Sequence, residues 1–184
     1  MPDQEAILEL LRNLDSESRA TRKKAEDDLL AIGESAVDVI LKSAHEINLR
    51  LLSGYQPDSI LQALQHRIRV LGLLRSVRGV QMVSASLADS SEMIYNQKAA
   101  IHRMQSAFIP DATSISYAYQ RLSIGKRLHR TAASALVRIG DEAERQLTEH
   151  MSSFSPVAQK SIRQAIRRIR FQRFCRKVIG IGSY

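Results

Sequence analysis

Tryptophan is absent from this chain of 184 residues, cysteine occurs once, and proline and glycine are sparse at four and eight. A single cysteine, Cys175, excludes any internal disulfide framework and fits a reducing compartment, so a cytoplasmic protein is expected. Few prolines and glycines leave little of the turn punctuation that sandwiches and barrels use, which favours helix. No apolar run approaches the roughly 20 residues of a membrane-spanning helix, so no membrane insertion is expected. The opening "MPDQEAILELLRNL" is acidic and amphipathic, the reverse of a basic leader.

Catalytic signatures are missing as well. His45, His66, His102, His129 and His150 stand singly, none in an HExxH or CxxC-like spacing. Glu46 follows His45 but lies on a different helical face. "SIGKRL" at 123–128 contains Gly-Lys but lacks the first glycine and the following Ser/Thr of a phosphate-binding loop. There is no GxSxG elbow and no nucleophile paired with a base. Cys175 sits among arginines in "RFCRK", a setting that favours a reactive thiol; an idle cysteine is the plainer reading. No cofactor, metal or reaction is expected.

What is present is helical periodicity. Ile60, Leu61, Leu64, Ile68, Leu71, Leu74 and Val77 recur by threes and fours, and so do Ala36, Val39, Ile40, Ala44, Ile47 and Leu51. Pro2 and Pro156 suit first helical turns, the latter behind Ser155 as N-cap, while Pro57 and Pro110 fall in breaks. Only "SISYAYQRLS" at 114–123 alternates, and it reads as a loop or an irregular helix.

One phrase is written twice. Aligning Gly33 with Gly140 pairs Ala25 with Ala132, Leu29 with Leu136, Ile32 with Ile139, Ala36 with Ala143, and Ile40 with Leu147. The spacing predicts a helix, a glycine C-cap in the left-handed region, and a second helix packed back on the first. Weaker copies begin at Val70, with Leu74, Val77 and a turn at "RG", and at Ile162, Ile166 and Ile169. The pattern resembles HEAT-type repeats, in the short "RxxAxxALxxIG" form of the phycobilisome-lyase type. The resemblance is clear over 22–41 and 130–147 and fainter over 67–79 and 155–170. It implies an all-α, irregular α-solenoid of stacked HEAT-like helix pairs spanning 1–184 as one domain, and it is compatible with scaffolds, adaptors and a few enzymes. A plain helical bundle is the alternative. Bilin lyases share the repeat, but no tetrapyrrole pocket is marked; helical-repeat DNA glycosylases use a similar stack, but aromatic residues are only 5%.

Charge is uneven. Residues 1–46 hold 11 acids and 6 Lys/Arg, whereas 156–184 hold 8 Lys/Arg and no acid. The basic C-terminal helix 156–179, followed by a short tail 180–184, is therefore the candidate docking element. Its apolar stripe Ala158, Ile162, Ala165, Ile166 and Ile169 changes phase beyond Arg170, where Phe171, Phe174, Cys175 and Val178 project from the other side. The candidate partner-binding residues are Lys160, Arg163, Arg167, Arg170, Phe171, Arg173, Phe174, Arg176 and Lys177. A protein with an acidic surface is the favoured partner, with the phenylalanines as anchors and the arginines as rim; nucleic acid is the alternative. If instead the helix bends at Arg170, Phe171 and Phe174 tuck into the protein's own core.

Overall fold

A computed structural model describes residues 3–52, 58–106 and 112–179, with backbone alone at 49–52 and 179. Pro2, Pro57, Pro110 and the tail 180–184 lie outside the described residues. Among these residues the protein is all-α, without a strand, and holds eight α-helices: α1 (Gln4–Leu14), α2 (Arg19–Ile32), α3 (Val37–Leu52), α4 (Asp58–Leu73), α5 (Val80–Gln105), α6 (Ala112–Ile139), α7 (Asp141–Glu149) and α8 (Pro156–Ile179).

Local chemistry sets the starts. The Asp3 carboxylate accepts from the Glu5 N–H at 3.1 Å, and the Ser18 hydroxyl accepts from the Thr21 N–H at 3.3 Å. Ser155 accepts from the Ala158 N–H at 3.2 Å with Pro156 in the first helical position, as the sequence predicts.

The twice-written phrase gives the same turn twice. Gly33 has φ 70° and ψ −142°, and Gly140 has φ 86° and ψ −135°. Each glycine N–H donates to the carbonyl of the matching leucine, Leu29 or Leu136. Four of the five aligned pairs are buried at both members, and Ile32 and Ile139 are both half-buried. The expected left-handed helical cap is corrected in one respect. φ is positive, but ψ lies in the mirror-extended region that only glycine adopts readily, so the chain turns more openly than a left-handed cap would.

The copy at Val70 does not repeat this turn. Arg75, not a glycine, takes positive φ (52°), and Gly79 has φ −78°. The Ser76 N–H returns to the Leu71 carbonyl at 3.1 Å, so α4 stops at Leu73 and Val77 is left 46% exposed rather than on the buried stripe. "SISYAYQRLS" is regular helix within α6. Its alternation arises because Ala118 and Leu122 are buried while Tyr117 and Tyr119 flank them in solvent.

Each odd-numbered helix packs on the even-numbered one that follows it. The odd helices also touch in succession (α1 on α3, α3 on α5, α5 on α7), and so do the even ones (α2 on α4, α4 on α6, α6 on α8). α1 makes its main contacts with α2, α3 and α4, whereas α8 makes its own with α5, α6 and α7, which puts the two at opposite ends. A continuous core runs from Ile7 and Leu11 to Ile166 and Ile169. At Gly72 a Cβ would stand 2.5 Å from that of Ala135, so α4 and α6 meet there almost backbone to backbone.

Most buried polar groups are satisfied internally, His66 Nδ1 and one Glu144 oxygen being the buried side-chain atoms without a hydrogen bond among the described residues. Arg67, 4% exposed, donates to the Leu11 and Ala63 carbonyls and to Ser43 and Asp15, stapling α1, α3 and α4. Ser84, Ser86, Ser90 and Ser91 on α5 return their hydroxyl protons to carbonyls three or four residues back. A second, smaller cluster of Ile101, Ala118 and Leu122, lined by Ile94 and Met104, holds together the far ends of α5 and α6.

Candidate interaction surface

α8 is amphipathic in an unusual way. Over the first half of the helix the core side carries Ala158, Ile162, Ala165, Ile166 and Ile169, all buried. The opposite side is basic in the first half and apolar in the second. At 100° per residue, Lys160, Arg163 and Arg167 share an outward face with Phe171, Phe174 and Val178, whereas Arg168 lies round the helix beside Ser161, on the side towards α6. Phe171 is 68% exposed, Phe174 60% and Val178 66%. The helix does not bend back at Arg170; it runs straight on to Ile179. The phenylalanines are therefore presented to solvent, and the alternative that tucks them into the core is overturned. Cys175 beside them is half-buried.

The nine candidate residues do not act as one set. Arg170 donates to Glu144 at 2.6 Å, and Arg173 reaches Asp141 and the second Glu144 oxygen, both at 3.1 Å. Both guanidiniums thus turn sideways to the acidic first turn of α7 and tie α8 to it, a structural duty that the helical-wheel position alone did not reveal. Arg163 has a local partner, donating to the Gln159 side-chain oxygen at 3.0 Å. Arg176 lies near Gln172, whose amide, oriented to satisfy both neighbours, also donates to the Val137 carbonyl at 3.1 Å. Lys160, Arg167 and Lys177 are exposed and form no ion pair among the described residues. Arg168, exposed and not among the candidates, lies on the side of α8 towards α6, next to Ser161 on the helical wheel.

At the seam between α6 and α8, His129 Nε2 lies 3.1 Å from the Ser161 hydroxyl. Burial, and then the positive charges of Arg168 and Arg130, push the imidazole below its ordinary value, so this ring is neutral where those cations meet. Elsewhere, burial acts to raise the Glu26 carboxyl, but Arg69 at 2.5 Å and Lys23 more than offset it and leave it below the usual range. Glu142, bonded by Arg145 and Gln146, falls to about 2. These are ion pairs of ordinary helix surfaces, and among the described residues no group of His, Cys, Asp and Glu could hold a metal ion. Among them also, no helix is long and apolar enough to cross a membrane.

Comparison with protein-family models, with curated proteins and with solved structures finds no match to this chain.

Proposed function

We propose that this chain is a non-enzymatic interaction module: an irregular α-solenoid of HEAT-like helix pairs that serves as a cytoplasmic scaffold subunit and docks a protein with an acidic surface through the outward face of α8. The parallel successions of odd and even helices, and the matched turns at Gly33 and Gly140, support the solenoid reading. One observation carries the docking reading. Phe171, Phe174 and Val178 stand in solvent on one helix face with Lys160 and Arg167, which have no acidic partner among the described residues. Large exposed apolar side chains rimmed by free cations suit a partner that offers an apolar pocket surrounded by carboxylates.

The test is affinity capture from native cells with the wild-type chain and with Phe171→Glu/Phe174→Glu, followed by titration of the purified captured protein. Two lost anchors weaken the specific complex at least about tenfold. Equal affinity for the wild type and the double variant rules out α8 as the docking face.

A further inference from the structure

Sorting the ionised residues by helix, rather than along the chain, shows a second polarity. The even-numbered helices carry 19 Lys/Arg against 4 Asp/Glu, whereas the odd-numbered ones carry 6 against 10. α6 and α8 hold 13 of those cations and no acid. On α6, Lys126, Arg127, Arg130 and Arg138 are exposed, opposite the buried Leu128, Ala132, Ala135 and Leu136. The cations fall within an arc of roughly 120° and extend over about 18 Å of helix axis. Among the described residues none of the four forms an ion pair, whereas Lys23, Arg69, Arg78, Arg145, Arg170 and Arg173 all do.

This face continues onto its neighbours. Towards α4, Arg130, Thr131, Ser134 and Arg138 line a shallow cup of about 160 Å³ together with Arg69, whose guanidinium is fixed by Glu26 at 2.5 Å. Towards α8, the His129–Ser161 contact closes the seam, and the charges of both Arg130 and Arg168 act on His129 there. Cations held together without counter-charges repel one another, a cost that is recovered when a regularly charged anion lies across them.

The face also lacks what a protein interface needs. Between Tyr119 and Phe171 no large apolar side chain is exposed among the described residues, so there is no anchor to bury. What it offers is guanidinium, ammonium and hydroxyl groups. Steps of four residues along α6, from Arg130 to Ser134 to Arg138, advance about 6 Å each, comparable to the spacing of successive phosphates on one strand. Such groups hold phosphates and sugars without reading bases.

We infer that the outward face of α6, with Arg69 of α4 and Arg168 of α8 at its margins, binds the sugar–phosphate backbone of a nucleic acid. The site is distinct from the apolar end of α8, and Phe171, Phe174 and Val178 take no part in it.

The experiment is fluorescence anisotropy of the full chain with a labelled single-stranded RNA and a labelled DNA duplex, each about 20 nucleotides long, from about 50 to 200 mM salt. The wild type binds, and log affinity falls linearly with log salt. Arg130→Glu/Arg138→Glu binds at least about tenfold more weakly at 100 mM salt, and its slope is smaller by about 1.4–1.8, the share of two phosphate contacts. Arg12→Glu/Arg103→Glu makes the same change in net charge on α1 and α5, and its affinity stays within about twofold of the wild type. Phe171→Glu/Phe174→Glu binds the nucleic acid as the wild type does. Circular dichroism melts establish that each variant is folded. The inference is overturned if the wild type binds neither probe at 50 mM salt, if the α1/α5 variant loses as much as the α6 variant, or if polyglutamate of equal length competes as well as RNA. An intact nucleic-acid complex with no captured protein leaves this site standing and removes the α8 docking reading; the converse result does the opposite.

Discussion

His129 lies where three influences on one proton add up. It is partly enclosed between α6 and α8, and both Arg168 and Arg130 direct positive charge at it. Its pKa in the folded protein is therefore below the 6.5 of the unfolded chain. As pH falls through 6.5, the unfolded state takes up the proton first, so stability drops from there down to the folded-state pKa and then levels off. Asp89, whose carboxyl is raised by burial and by Glu92, acts in the opposite sense and is common to wild type and variant, and Asp15 adds little in that window. Burial acts to raise Asp15, but His66 and Arg67 more than offset it and hold it below the ordinary carboxylate range. The expected outcome is a thermal midpoint that falls between about pH 7.5 and 5.5 in the wild type and falls less in His129→Gln, which keeps a polar partner for Ser161 but has no proton to gain. Parallel pH profiles for the two proteins would disprove this account. The same two arginines that depress His129 border the proposed nucleic-acid site, which ties a local titration to the surface that surrounds it.

At the scale of elements, the two glycine turns make a paired prediction. No atom lies within 4 Å of a Cβ built at Gly33 or Gly140, so alanine would meet no clash at either position. The whole cost is backbone strain at positive φ with ψ near −140°, about 2 kcal/mol at each site. Gly33→Ala and Gly140→Ala should therefore lower unfolding free energy by similar amounts in urea titrations; a large difference would mean that the turns are alike in angle but not in strain. These turns were legible in the sequence because the apolar positions around them have one destination each. Ala25, Leu29, Ala36 and Ile40 face a single core, as do Ala132, Leu136, Ala143 and Leu147. Legibility failed where two demands share one stretch. Val77 fits the α4 stripe by spacing, but the turn at Arg75 removes it from the helix. Tyr117 and Tyr119 mimic strand alternation because they straddle a narrow buried seam. Arg170 and Arg173 look like free docking cations until α7 folds its acidic first turn against them. Charge misled in the same way. Read along the chain, it is a gradient from acidic to basic; the alternation of helices converts it into a difference between two successions, which no linear count displays.

Across the whole molecule, stability is not uniform, because the chain is held by two apolar clusters of unequal size. The main core draws on every helix from α1 to α8. The smaller one, Ile101, Ala118 and Leu122 with Ile94 and Met104, joins only α5 and α6. These two helices are 26 and 28 residues long, about 40 Å each; α4 and α8 pack against them, but the small apolar cluster of their outer halves draws on no other helix, and the Gln120–Asp58 hydrogen bond that reaches α4 from there is exposed. A two-helix hairpin with three buried side chains sets a local opening free energy well below that of the full core. Amide exchange should therefore be faster over 98–105 and 112–120 than over 80–91 and 128–139, although all four stretches are helical. Ile101→Ala should deepen the contrast: it removes a buried side chain worth about 2–4 kcal/mol from the small cluster, so exchange of the outer halves accelerates strongly. The thermal midpoint, set by the main core, should shift by only a few degrees. Hydrogen exchange read by mass spectrometry decides the matter. If Ile101→Ala speeds exchange uniformly through α5 and α6, the two clusters unfold as one unit, and the far ends of these helices are then as rigid a part of the surface as the basic face of α6.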